Sequence, residues 1–275
     1  MRNAEVLVIG AFDDLGLRHV RFLHDASRRG GVTVLLWTDA AVFAITGAGP
    51  KFGVAERRYL VGALRFVNRV IEADDLRQPW GRAKDLPPTA VVCADADAPL
   101  QELEAARRTA ATLRAPFRLV TNQDLVGFPA FPLPPSDPSR RKVVVTGCYD
   151  WLHSGHVRFF EDVSSHGELY VVVGHDANVR LLKGDGHPRF PEEQRRYMTA
   201  AIRHVHRSLV STGSGWMDAE PEIAAVGADI YAVNEDGDKP EKREFCRTNG
   251  LEYLVLRRVP APGLPRRSST DLRGF

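Results

Sequence analysis

With 275 residues, 44% hydrophobic and 26% charged, the chain is long enough for two domains that each bury a core, and its composition is that of a globular protein. A net charge of only +2 gives no bulk argument for a nucleic-acid partner, so any anion site has to come from local placement. Three scattered cysteines, an N-terminus that meets acid too early for a signal peptide, and no apolar run near the roughly 20 residues of a membrane span argue against a disulfide framework, a zinc site, secretion and a membrane anchor; the expected location is cytoplasmic.

In chain order, the first line of note is "VLVIGAFDDLGLRHVRFLHDA" at residues 6–26, and it returns at residues 143–163 as "VVVTGCYDWLHSGHVRFFEDV". Val6, Val8, Gly10, Asp13, His19 and Phe22 meet Val143, Val145, Gly147, Asp150, His156 and Phe159. After a short slip, "PKFGVAERRYLVGALRFVNRV" (50–70) lies on "PRFPEEQRRYMTAAIRHVHRS" (188–208), and "TNQDLVGF" (121–128) lies on "SSTDLRGF" (268–275). Order and spacing persist across a whole domain, which makes a tandem duplication. The expected organisation is a first copy at 1–128, a linker at 129–141 rich in Pro and polar residues, and a second copy at 142–275.

Within the second copy, "KVVVTG" (142–147) reads as a short buried strand and residues 156–167 as a helix stopped by Gly. "LYVVVG" (169–174) is a strand, and "PEEQRRYMTAAIRHV" (191–205) opens as a helix with Pro and then acids. Residues 207–212, 228–233 and 252–257 read as further strands, with helices between them. Strands alternating with helices predict an α/β fold with a parallel sheet covered on both faces and a ligand at the carboxyl ends of the strands.

The line at 143–163 carries the chemistry. Its strand ends at Gly147 and a helix begins just after the turn, where backbone N–H groups and the helix dipole attract phosphate. His153 and His156 fall in the turn and first helical residues, within reach of one phosphate, and Gly155 leaves the backbone open to close approach. His204 and His206 suggest no metal site, because no third ligand accompanies them.

"GCYDWLHSGH" (147–156) resembles the G-x-[FY]-D-x-x-H-x-G-H signature of the cytidylyltransferase-like nucleotidyltransferases. "LLKGDGHPRFPEEQR" (181–195) resembles the family's Lys-Gly block, and "RSSTDLR" (267–273) its terminal Ser-Thr block. The resemblance covers essentially all of residues 142–275 and implies two Rossmann-like domains in tandem, an arrangement similar to the phosphoethanolamine cytidylyltransferases. It implies attack by a phosphorylated or phosphonate small molecule on the α-phosphate of a nucleoside triphosphate, releasing pyrophosphate, with Mg²⁺ held mainly by phosphates and water. It further implies that His153, His156 and Lys183 are catalytic. Thr146, Gly147, Cys148, Tyr149, Gly155, Asn234, Asp236, Ser268, Ser269 and Thr270 would bind the nucleotide. Arg195, Arg258 and Arg267 would contact a phosphate or the acceptor; Cys148 is expected to pack and not to act as a nucleophile.

The first copy lacks several of these groups. Gly16 stands at His153, Arg18 at Gly155, Thr46 at Lys183 and Cys93 at Asn234, while Arg57 still matches Arg195. The expectation is a degenerate first domain beside a working second one, as a homodimer or as a monomer with an internal pseudo-dimer. The tandem plan and the "RSST" tail favour CTP. The alternatives are ATP-dependent adenylyl transfer to a sugar phosphate, similar to ADP-heptose synthases, and a non-catalytic nucleotide-binding subunit. No nucleic acid or membrane partner is expected.

Overall fold

The computed structural model describes residues 5–81, 89–269 and 272, and it divides into two compact units, residues 1–127 and 128–275. The first contains β1 (Glu5–Gly10), α1 (Leu17–Ser27), β2 (Gly31–Trp37), α2 (Asp39–Thr46), α3 (Val54–Gly62), β3 (Val67–Ala73), β4 (Thr89–Asp95), α4 (Leu100–Leu113) and β5 (Phe117–Val120). The second repeats the series as β6 (Lys142–Gly147), α5 (Ser154–Ser164), β7 (Glu168–Val173), α6 (Asp176–Lys183), α7 (Glu192–Ala200), β8 (Val205–Val210), α8 (Glu220–Val226), β9 (Ile230–Asn234), α9 (Pro240–Thr248) and β10 (Glu252–Leu256).

The sheets run β3-β2-β1-β4-β5 and β10-β9-β6-β7-β8, with parallel pairing throughout. In each unit the first strand is central, flanked by the second and the fourth. A central parallel strand is buried on both faces, which is why Val143, Val144 and Val145 are all fully buried. The strand order reverses beside β6, so a crevice opens at its carboxyl end. The helix expected over 191–205 stops at Ala200. Val205 already pairs with Leu169, so the sheet edge takes over the end of the helical pattern. The Pro-rich stretch at 129–141 runs with the second unit: Phe131 stacks on Tyr197 at 5.0 Å between centroids, and Ser136 Oγ donates to Glu168 at 2.8 Å.

Three local devices recur in both units and shape the carboxyl edge. Tyr149 lies in the left-handed region at φ 51°, and its ring folds back over Gly147, where a Cβ would come within 2.8 Å of Cζ. Phe12 does the same at φ 47° over Gly10. Such a conformation costs about 1–3 kcal/mol in a residue with a side chain, which aromatic burial offsets. Next, the Asp150 carboxylate accepts from the backbone N–H groups of Arg189 (2.7 Å) and Phe190 (2.9 Å), as Asp13 accepts from Lys51 (2.6 Å) and Phe52 (3.0 Å). Finally, Arg195 donates to the carbonyls of Phe190, Cys148 and Gly174 and to Asp176 at 2.6–2.8 Å. Arg57 does the same toward Phe52, Ala11 and Asp39 at 2.6–2.8 Å.

Candidate nucleotide-binding cleft

The carboxyl ends of β6 and β9 open into a cleft of about 440 Å³. Its floor is the turn Thr146, Gly147, Cys148 and Tyr149, with the Thr146 hydroxyl tied to Tyr231 Oη at 2.7 Å. The N-terminal turn of α5 brings Gly155 and His156 to the wall. One flank is the segment between α6 and α7, with Lys183, His187 and Arg189; the other is Asn234, Asp236 and Lys242. Arg258 and Ser269 come from the tail. Four cationic side chains (Lys183, Arg189, Lys242, Arg258) face two carboxylates (Asp150, Asp236), so the cleft favours an anion.

His153 caps α5: its Nδ1 accepts from the Gly155 N–H at 3.1 Å, which leaves the proton of a neutral ring on Nε2, 3.4 Å from Ser269 Oγ. His153 is only 2% exposed, does not line the cleft, and stacks behind His156 at 3.9 Å between ring centroids. Burial holds the His156 pKa well below the usual histidine value, and the nearby His153, Arg258 and Lys183 lower it further, against a small opposing effect from the Trp151 backbone. His156 is therefore a neutral donor at neutral pH, and its Nδ1 has no hydrogen-bond partner among the described residues. Gly155 is favoured by close approach, because a Cβ there would sit 3.0 Å from the His153 ring and 3.2 Å from the Arg267 carbonyl. Burial raises the Cys148 thiol above its ordinary value, which suits a packed side chain and not a nucleophile.

Some expected site residues lie outside the cleft, and others reach it from a different element or already hold a partner. Arg195 was expected to touch a phosphate or the acceptor; it is instead 1% exposed, with its guanidinium spent on carbonyls and Asp176. It braces the turn that carries the cleft. Lys183 is the last residue of α6, not a loop residue; the helix starts at the His175 cap and ends at Gly184, at φ 83°, whose N–H donates to the Arg180 carbonyl at 2.8 Å. Arg258 ion-pairs with Asp236 and donates to the Arg267 carbonyl at 2.7 Å. Arg266 and Arg267 line a second, much smaller depression that Arg258 shares. Ser268 lies outside the cleft lining, with its carbonyl accepting from Leu272 N at 3.3 Å; Thr270 lies outside the described residues. Sequence reasoning gave no role to Asp150, His187, Arg189 or Lys242. The first was legible, since the repeat places Asp13 opposite it; the others come together only across the fold.

The first unit closes the same edge on itself. Arg18, at the position of Gly155, pairs with Asp95 and with Asp97 (3.0 Å) and donates to Asn122. The backbone N–H of Ala11, which follows β1, donates to the Glu102 carboxylate at 3.1 Å.

A parallel sheet whose central strand ends beside a helix N-terminus and a cationic cleft defines the nucleotide-binding α/β class. Within that class the likeness is specific. Residues 144–274 match the family model described as Cytidylyltransferase-like. The FAD synthase of Aciduliprofundum boonei is 32% identical over 138 residues, 48% of this chain and 84% of that protein. The FAD synthase of Methanoculleus marisnigri is 35% identical over 127 residues, 45% of this chain and 79% of that protein. The Bifunctional protein HldE of Alkalilimnicola ehrlichii is 46% identical over 66 residues, 24% of this chain and 14% of that protein. The chain belongs to the cytidylyltransferase-like family of nucleotidyltransferases. No helix among the described residues is long and apolar enough to cross a membrane.

Proposed function

We propose that the second unit transfers a nucleoside monophosphate from a nucleoside triphosphate to a phosphorylated small molecule. An acceptor phosphate oxygen forms a bond to the α-phosphorus as the bond to the bridging oxygen breaks, and pyrophosphate leaves with that electron pair. The observation that carries this reading is the convergence of His156, the α5 N-terminus and the unbalanced cationic cleft at the end of β6. Such transfer needs positioning and charge neutralisation more than covalent work from the protein. His156 donates to a phosphate oxygen, His153 fixes the turn behind it, and Lys183, Arg258 and Lys242 offset developing charge.

The FAD synthase relatives support ATP, since that dinucleotide contains an adenylate; the tandem plan and the "RSST" tail support CTP. ATP is the preferred reading. Among the described residues, no group of three or more His, Cys, Asp and Glu side chains is placed to hold a metal. Asp150 is engaged by backbone amides and Asp236 by Arg258. The donor set therefore fits Mg²⁺ only as an ion carried on the triphosphate with water. The test is thermal shift with ATP, CTP, GTP and UTP, each with Mg²⁺, followed by pyrophosphate release with flavin mononucleotide and sugar phosphates as acceptors. Stabilisation by ATP alone, with release on an acceptor, supports adenylyl transfer, and CTP alone moves the reading to cytidylyl transfer. No stabilisation by any nucleotide overturns it.

A further inference from the structure

β6 and β9 lie side by side, with Val144 opposite Tyr231. Side chains alternate along a strand, so Thr146, two residues beyond Val144, shares the face on which Tyr231 lies. There Tyr231 is 1% exposed and packs in one apolar cluster with Val144, Val233, Ile223 and Cys246. A phenol in that setting needs a partner for its proton. Thr146 Oγ1, at 2.7 Å, is the only hydrogen-bond partner of Tyr231 Oη among the described residues. Tyr231 does not line the cleft, whereas Thr146 does.

The two hydroxyls are not equivalent. A phenol is the more acidic and the stronger donor, and an alcohol oxygen the better acceptor. Burial raises the Tyr231 pKa above its ordinary value, against a smaller lowering by the Thr146 hydrogen bond, so the phenol keeps its proton. Buried Tyr231 has nowhere else to send that proton, while half-buried Thr146 opens on the cleft. With Tyr231 donating, the Thr146 proton has no acceptor among the described residues and turns to the cleft. An O–H that accepts one hydrogen bond is polarised toward giving another. Lys242, whose Nζ lies 5.9 Å from the centroid of the Tyr231 ring, lines the same cleft and brings further donors to it. In the first unit buried Ile9 stands at Thr146, so the sheet closes there without a hydroxyl and folding does not account for the pair.

The geometry points to Tyr231 as a positioning residue: its phenol donates to Thr146 and fixes the Thr146 hydroxyl as a donor to an oxygen of the substrate bound at the end of β6. This deepens the nucleotidyl-transfer reading and rests on it for the substrate. The oxygen can belong to the nucleotide or to the acceptor; in both cases it is a hydrogen-bond acceptor, and a group that only donates, such as an ammonium, is disfavoured there.

The test uses the full chain with Tyr231→Phe, Thr146→Val, Thr146→Ser and the double variant Tyr231→Phe/Thr146→Val. Each is titrated calorimetrically with non-transferable α,β-methylene-ATP and Mg²⁺, and assayed for pyrophosphate release from ATP with flavin mononucleotide or a sugar phosphate as acceptor. Tyr231→Phe and Thr146→Val are each expected to weaken one substrate by about tenfold, the scale of one lost hydrogen bond. Thr146→Ser, which keeps the hydroxyl, should stay within about twofold of wild type. Because Tyr231 acts through Thr146, the double variant should be no weaker than Thr146→Val. A fall in nucleotide affinity puts the oxygen on the nucleotide; held nucleotide affinity with a raised acceptor KM and an unchanged kcat puts it on the acceptor. Wild-type affinity and KM in Tyr231→Phe overturn the positioning role, even where that variant melts lower, and so do losses that multiply in the double variant. If wild type binds no nucleotide, the functional reading fails, and the pair is read by NMR alone. A slowly exchanging Tyr231 hydroxyl proton that shifts or disappears in Thr146→Val supports it, and no such proton in wild type overturns it.

Discussion

At His156, burial and the neighbouring His153, Arg258 and Lys183 all act against a positive charge. Its folded-state pKa lies below the unfolded value, so its contribution to stability is present above about pH 6.5 and is lost as pH falls below that. Ring titration by NMR of the ligand-free protein is expected to find His156 still neutral at pH 6; a ring already protonated there contradicts the burial argument. His156→Ala is expected to abolish nucleotide-dependent stabilisation and to cut pyrophosphate release by about 10²–10³-fold, the scale of removing one donor at a developing charge. Arg195 behaves differently, as a buried brace with four half-buried acceptors. Arg195→Ala is expected to destabilise the second unit by about 3 kcal/mol, because its carbonyls and Asp176 lose their partner. Arg57→Ala should cost the first unit a similar amount, both read by urea unfolding. Equal loss in the two variants explains why this Arg is common to both copies when His153, replaced by Gly16, is not.

Among the elements, α4 holds a strongly pH-sensitive group of the first unit. Its first turn places Glu102 against the Ala11 amide in a nearly closed environment, and burial pushes its pKa up to about 7. The folded carboxyl binds its proton more tightly than the unfolded one. Its stabilisation is therefore complete below about pH 4.5 and is lost as pH rises through about 7. Thermal unfolding from pH 5 to 8 should show this decline in wild type. Glu102→Gln, which keeps an acceptor for Ala11 without a charge, should flatten it and be the more stable protein at pH 8. A wild-type profile as flat as the variant's would count against this. At the same scale, α6 shows how a glycine sets a boundary: "LLKGDG" reads as a Gly-rich loop, but the helix runs on until Gly184 takes a positive φ, so Lys183 is still part of it.

Taken whole, the molecule holds the same strand order twice with opposite fates at the carboxyl edge. The second unit leaves that edge open, with the small Gly155 at the helix start. In the first, Arg18 bridges from α1 to Asp95, Asp97 and Asn122, and Glu102 takes the amide that follows β1. A cleft wall satisfied by its own side chains has little to gain from a nucleotide. His19→Ala in the first unit is therefore expected to leave nucleotide-dependent stabilisation and pyrophosphate release within about twofold of wild type, in contrast to His156→Ala. A loss of turnover in the His19 variant would show that the first unit takes part in the chemistry.

The amino-acid order alone determines the duplication, the alternation of strands and helices, and the placement of Gly147, His153, Gly155 and His156 on one turn. These are local matters: hydrophobic period, glycine at a close approach, and residues a few positions apart on one strand–turn–helix. The repeat even exposes Asp13 and Asp150 as partners in one role. What only tertiary structure decided is direction and pairing across distance. Arg195 reads as a phosphate ligand by type, yet its neighbours on three other segments turn it inward. His187 and Arg189 read as loop residues, yet Asp150 draws their segment to the cleft beside Lys183. A side chain's partners are set by which elements the sheet brings together, and spacing along the chain does not carry that information.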